Sequence, residues 1–208
     1  MTDLKTDQEK AEDLKQWWKE NGISVLTGVA LAIASVLGWQ QWQAHKLAKA
    51  EETSSLFAQL QQQADPAILA QLKTEASSPY ASLAALTAAK KAAQDGNADQ
   101  AKSELQWTIA NASDTLIQQV ARLHLIRLQI STKNFDSAKT QLAQSFSPAY
   151  SSLVEELKGD LHFAQNELKE AADAYKQAIQ LSDGNPPMYL QMKLDNLGGL
   201  GSKTVEGA

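Results

Sequence analysis

Three histidines and one acidic cluster are the side chains in this sequence whose types and spacing suit chemistry. His45, His124 and His162 lie far apart in the 208-residue chain, and none has a second His at the spacing with which a helix holds zinc. Glu156 and Asp160 stand four residues apart with Glu155 beside them, so one helical face carries paired carboxylates, and His162 follows closely. Such a set suits a hydrolase, in which a carboxylate or imidazole moves the proton while water attacks. On a polar helical face the same carboxylates are ordinarily solvated charge. Cys is absent, which removes thiol catalysis, disulfides and Cys-ligated metals and fits an oxidising compartment. GxSxG, Walker and GxGxxG motifs are missing as well. The expectation is a non-enzymatic protein with no catalytic, metal-binding or cofactor-binding residues.

The elements around these residues begin with an apolar segment. From Asn21 to Ala44 the chain runs twenty-four residues without a charged side chain. Gly22 to Trp39 would rise ~27 Å as a helix, close to the ~30 Å hydrocarbon core of a bilayer. A helix satisfies its own backbone hydrogen bonds and so can cross lipid. Trp17 and Trp18 before it, with Trp39 and Trp42 at its far end, match the aromatic belts of the two membrane interfaces. Two rivals are a buried core helix and a cleaved signal peptide. Against the first stands the absence of an amphipathic period. Against the second stand a leader rich in Asp and Glu and a bulky WQQWQAHK where small cleavage-site residues belong. Lys5, Lys10, Lys15 and Lys19 precede the span and only Lys46 and Lys49 follow closely, which places the N-terminus in the cytoplasm.

The remaining stretch of about 160 residues suffices for one medium domain with its own core. From Lys46 on, fifteen Lys or Arg stand against eighteen Asp or Glu. Without a sustained basic face, no nucleic acid is expected as a partner. Asp65-Pro66, Ser77-Ser78-Pro79, Ser147-Pro148 and Asp183 to Pro187 read as breaks between helices. The division expected is a cytoplasmic tail over 1–20, a transmembrane helix over 21–44, connecting helices over 45–78, a repeat domain over 79–197 and a disordered tail over 198–208. One helix should continue from the span to about Gln63, and a short last helix should run from Met188 to about Asn196.

Within the repeat domain, three stretches echo one another. Each has a polar turn and then a helix opening with an alanine, Ala101, Ala138 or Ala171, at spacings of 37 and 33 residues. Four residues on comes Leu105, Leu142 or Tyr175, and three further a small or short residue, Thr108, Ser145 or Ala178. This is the period of tetratricopeptide repeats, ~34 residues per helix–turn–helix unit. The third copy keeps the glycine of that pattern at Gly159, whereas Ala89 and Ile126 stand in its place earlier. The fold expected is all-α, an N-terminal single transmembrane helix followed by a tetratricopeptide-like α-solenoid, with an Ala-rich bundle as the alternative.

In such solenoids the first helices line a groove for extended or helical peptides. Its offsets fall here on Leu83, Leu86 and Lys90, then Leu123, Arg127 and Ile130, then Glu156, Asp160 and Phe163. That mixture of apolar floor and both charges suits weak binding of unfolded segments, and it equally suits interior packing. His162 falls on an inner position and reads as a packed substitute for an aromatic. In the span, Gly28 with Ala32, and Ala30 with Ala34 and Gly38, form small-xxx-small rows that permit close approach of a second membrane helix.

The span ENGISVLTGVALAIASVLGWQQWQAH, the YASLAAL at Tyr80–Leu86, the third repeat and the YLQMKLDNL at Tyr189–Leu197 together resemble the YfgM family of ancillary Sec translocon subunits. The likeness runs from about residue 10 to 197. It implies a bacterial inner-membrane protein, single-pass in membrane lipid, with its N-terminus cytoplasmic and its repeat domain periplasmic. The partners it implies are the SecYEG channel, a membrane-anchored periplasmic chaperone of the prolyl-isomerase type, and exported unfolded polypeptides passing between them. The family offers no catalytic residues to carry over. A membrane-anchored scaffold for a cell-envelope assembly without client binding is the alternative role. The shifted N-terminal tail and the longer Gly-rich end depart from the family without touching the central motifs.

Overall fold

The computed structural model describes residues 7–182 and 187–205, with backbone alone at residue 7 and from 198 on. The break expected over Asp183 to Pro187 therefore lies, for residues 183–186, outside the described residues. The chain divides into two units, one up to Glu52 and one from Thr53 onward.

Helix α1 runs Asp7–Gln63 and supplies the whole described part of the first unit. Among the described residues it is the one helix long and apolar enough to cross a membrane. Leu26, Val29, Leu31, Ile33, Val36 and Leu37 are each more than half exposed, so this is no core helix. Two hydroxyls of its apolar stretch are satisfied within the helix: Thr27 donates to the Ile23 carbonyl and Ser35 to that of Leu31, each at 2.8 Å. The tryptophans pair at each end, Trp17 with Trp18 at 6.5 Å and Trp39 with Trp42 at 5.0 Å between ring centres. Lys46 lies over the Trp42 ring at 4.1 Å.

The second unit is helical throughout its described residues. It comprises the end of α1, then α2 (Pro66–Thr74), α3 (Pro79–Gln94), α4 (Ala98–Asn111), α5 (Thr115–Ser131), α6 (Phe135–Leu142), a 3-10 turn at Pro148–Tyr150, α7 (Ser151–Ala164), α8 (Leu168–Gln180) and α9 (Met188–Val205). Proline opens α2, α3 and the 3-10 turn, where a missing N–H costs nothing. Asp65 and Asp114 cap α2 and α5, each carboxylate accepting at 2.8 Å from the backbone N–H two residues on.

The pairs α3–α4, α5–α6 and α7–α8 are the three repeats, and their turns are built alike. Gly96, Lys133 and Asn166 all take positive φ, at 77°, 59° and 64°. After each, an N–H donates back five residues: Asn97 to Ala92, Asn134 to Gln129 and Glu167 to His162, at 2.8, 2.7 and 2.9 Å. This bond satisfies the last carbonyls of the first helix and turns the chain into the second.

Packing follows from neighbour to neighbour, as a solenoid requires. Leu60, Leu72 and Ala84 form one buried cluster, and Ala89, Leu105, Ala121 and Leu125 the next. Ile126, Ala138, Leu142 and Leu157 anchor a third, and Ala171, Tyr175, Ala178, Leu190 and Leu197 a fourth that binds α9. Burying each Leu or Ile contributes about 1.5–3 kcal/mol.

Repeats one and two compensate for their lost glycine. Leu105 lies with Ala89 and Leu142 with Ile126, so a smaller side chain faces the larger one. In the third repeat the full ring of Tyr175 lies on Gly159, where a Cβ would come within 2.4 Å of it.

Two expectations change. Helix α6 ends at Leu142, so Ser145 lies outside it and does not pack as the small residue of that repeat. The chain leaves early because Phe146 turns onto the core, under Arg122 at 5.8 Å, while the Ser147 N–H donates to Gln119 Oε1 at 2.6 Å. Helix α9 continues to Val205 rather than ending near Asn196. The stretch GGLGSKTV holds no proline to stop the helix, and its glycines at 198, 199 and 201 each cost only about 1 kcal/mol relative to alanine.

Candidate functional site

Helices α3 and α5 stand side by side as the first helices of their repeats. Between them lies a cavity of about 760 Å³, closed at its side by α4 and by Phe57 near the end of α1. Leu83 and Leu86 of α3, Leu105 of α4 and Leu128 of α5 make its walls apolar. On α3 the three-residue spacing of Leu83 and Leu86 puts both on one face, and on α5 His124, Arg127 and Leu128 share a face in the same way.

Lys90 and Arg127 bring charge to the lining, His124, Thr87, Gln94 and Ser131 uncharged polarity, and no Asp or Glu lines the space. Lys90 and Arg127 are exposed, and neither has a carboxylate partner among the described residues. Partial burial, and then the neighbouring Arg127 charge, pushes the His124 imidazole below its ordinary 6.5.

Of the groove residues expected from the sequence, Leu83, Leu86, Lys90 and Arg127 line this cavity. Leu123 and Ile130 turn inward instead. Leu123 is buried with Ile126 and Leu157, and Ile130 packs against the same cluster. The reason is that α5 is enclosed on both sides, by α3 and by α7, so these offsets face a neighbour rather than solvent.

Glu156 and Asp160 fall on the third repeat and are already engaged. Lys193 of α9 reaches Glu156 Oε1 at 2.6 Å and the two Asp160 oxygens at 2.7 and 2.9 Å. The Tyr189 hydroxyl donates to Glu156 Oε2 at 3.0 Å, and Tyr175 donates to Asp160 Oδ1 at 2.7 Å. Burial disfavours the Lys193 charge, but the hydrogen bonds and charges of Asp160 and Glu156 outweigh it and raise its pKa above 10.5. Burial, then the Asp160 hydrogen bond, likewise drives the Tyr175 phenol upward. Phe163 is half-exposed on the same helix, outside the cavity.

These contacts dismantle the hydrolase constellation. His162 Nδ1 lies 2.6 Å from Glu167 Oε2, and the two carboxylates it was grouped with are held by Lys193. Among the described residues no group of His, Asp and Glu is placed to hold a metal ion.

In the first unit, Gly28 and Gly38 have open space where a side chain would stand. Ala30, Ala32 and Ala34 are exposed, so both small-residue rows face outward from α1.

Phe57 and Lys193 escaped the sequence reading, and His124 was weighed there only as an isolated histidine, not as part of the groove. Lys193 had a local signal: Leu190, Leu194 and Leu197 define the buried face of α9 and put Lys193 on its flank.

Residues 15–199 match the tetratricopeptide repeat-like domain family. The chain is also similar to proteins named ancillary SecYEG translocon subunit. The one from Haemophilus influenzae is 26% identical, with 92% of this chain and 97% of the relative aligned. That from Escherichia coli K12 is 26% identical over 92% and 96%. That from Neisseria gonorrhoeae is 29% identical over 92% and 97%. No solved structure matches the chain.

Proposed function

The chain belongs to the tetratricopeptide repeat-like domain family, and from that premise we propose that it is a non-enzymatic accessory subunit of the Sec translocon in the bacterial inner membrane. Its repeat domain, on the periplasmic side, receives exported polypeptides as they leave the channel and links them to a membrane-anchored chaperone of the prolyl-isomerase type. Relatives of near-equal length carry the translocon name.

The observation that carries the reading is the pairing, in one chain, of an exposed membrane-length apolar helix with a repeat domain that keeps an apolar cavity on its first helices. The helix supplies the tether and the small-residue rows at Gly28, Ala32, Ala30, Ala34 and Gly38 a surface for the channel. Tethering holds the cavity at high effective concentration near emerging chains, so weak contacts suffice. The four-to-two Lys bias supports a cytoplasmic N-terminus.

Photo-crosslinking in intact membranes tests this, with probes at Ala32 in the span and Leu86 in the cavity. Crosslinks from Ala32 to the channel, and from Leu86 to exported chains or a chaperone, are expected. Crosslinks from both positions to a single folded envelope protein, with none to the channel, would replace the proposal with a scaffold.

A further inference from the structure

We infer that the cavity between α3 and α5 selects acidic, apolar polypeptide segments and rejects basic ones. The inference rests on the client-binding role proposed above and names the chemistry of the client. The cavity joins leucine walls, Leu83, Leu86 and Leu128, to two exposed cations, Lys90 and Arg127, and no carboxylate lines it. That is a local reversal of sign in a chain whose formal net charge is −5. A segment with apolar side chains flanked by Asp or Glu fills the leucine walls and gives each cation its missing partner.

A second observation concerns the other sign. The acidic offsets of the same repeat register, Glu156 and Asp160, are the groups a basic segment would seek. Lys193 and the Tyr175 and Tyr189 hydroxyls already occupy them. A basic segment thus meets like charge in the cavity and filled acids beyond it, whereas an acidic one finds open cations. Rejection by like charge supplies selectivity that apolar walls alone do not.

The test uses the full chain in detergent or nanodiscs and three fluorescent peptides sharing one apolar core, flanked by Glu, Gln or Lys. Fluorescence anisotropy reads their affinities. The Glu peptide should bind about five- to tenfold more tightly than the Gln peptide, as two exposed charge pairs allow, and the Lys peptide more weakly than either. The preference should shrink in molar salt, where the Debye length falls to about 3 Å. The variant K90E/R127E should invert the order. K90Q/R127Q should abolish it while keeping the helical circular dichroism signal, which both exposed substitutions leave intact.

Equal binding of all three peptides, or an order unchanged in K90E/R127E, overturns the charge selection and leaves the client-binding role standing. Binding of none of them overturns both.

Discussion

The second and third repeats place opposite charges at equivalent positions and treat them differently. Arg127 and Asp160 are 33 residues apart, the spacing that also relates Ala138 to Ala171. Asp160 is answered within the chain by Lys193 at 2.7 Å and by Tyr175. Arg127, like Lys90 one repeat earlier, lines a cavity without a carboxylate partner among the described residues. Where charge serves to hold the end of the solenoid, the chain supplies its own counter-ion. The charges left open border the apolar space, and that contrast distinguishes the part of the domain that holds itself together from the part proposed to bind, with Arg127 close enough to the boundary for its charge to act on the Tyr189 phenol of α9.

The largest effect should come from the close packing peculiar to the third repeat. Gly159→Ala puts a methyl group into the Tyr175 ring, at a contact of 2.4 Å, and should cost about 2–3 kcal/mol of stability. The double variant Gly159→Ala/Tyr175→Leu recreates the Ala89–Leu105 pairing of the first repeat and should recover part of that loss. Urea unfolding of the full chain, followed by circular dichroism, reads both. An additive double variant would mean that the repeats are not interchangeable at this contact.

Next comes the charged clasp on α9. Lys193→Ala leaves Glu156 buried without its cation and should cost about 2 kcal/mol, less than a fully buried pair because Lys193 remains 31% exposed. The loss should be local, with faster amide exchange in α9 while α3 and α4 stay protected. The pH dependence has a definite sign. Lys193 is more basic when folded, so its contribution is complete below 10.5 and disappears as pH rises through the higher folded pKa. Tyr175 holds its proton more tightly when folded and pushes the same way above pH 10. Stability should therefore fall on the alkaline side, and less steeply in Lys193→Ala. Binding of the Glu peptide at neutral pH should be unchanged in that variant, and a loss there would join the two regions that the comparison separates.

Much of this architecture could be read along the chain because its determinants are local. Pro66, Pro79 and Pro148 open elements wherever they were expected to break one. The alanines at Ala101, Ala138 and Ala171 are all fully buried, as a small residue at a helix crossing must be. What stayed hidden depends on how helices turn about their axes once packed. Repeat offsets alone do not reveal that α5 is enclosed on both sides, and so they placed Leu123 and Ile130 in the groove. Nor do they reveal that Lys193 reaches residues 33 and 37 positions away. The early end of α6 required knowing that Phe146 has a core to turn into.

The finest comparison lies in the turns. Gly96, Asn166 and Lys133 do the same work at positive φ, but only glycine does so without steric cost. Asn tolerates the conformation, whereas the Cβ of Lys133 strains against its own backbone. Lys133→Gly relieves that strain, although it also gives the unfolded chain more freedom to lose. The net should be a gain of about 0.5 kcal/mol, against a loss of about 1 kcal/mol for Gly96→Ala, whose added methyl meets open space. Because nothing crowds Gly96, that loss would come from backbone conformation alone. Opposite shifts of the two urea midpoints would show that the turns share one energetic design. A loss in Lys133→Gly would instead mean that the lysine side chain supports the second repeat, where α6 is the shortest of the repeat helices.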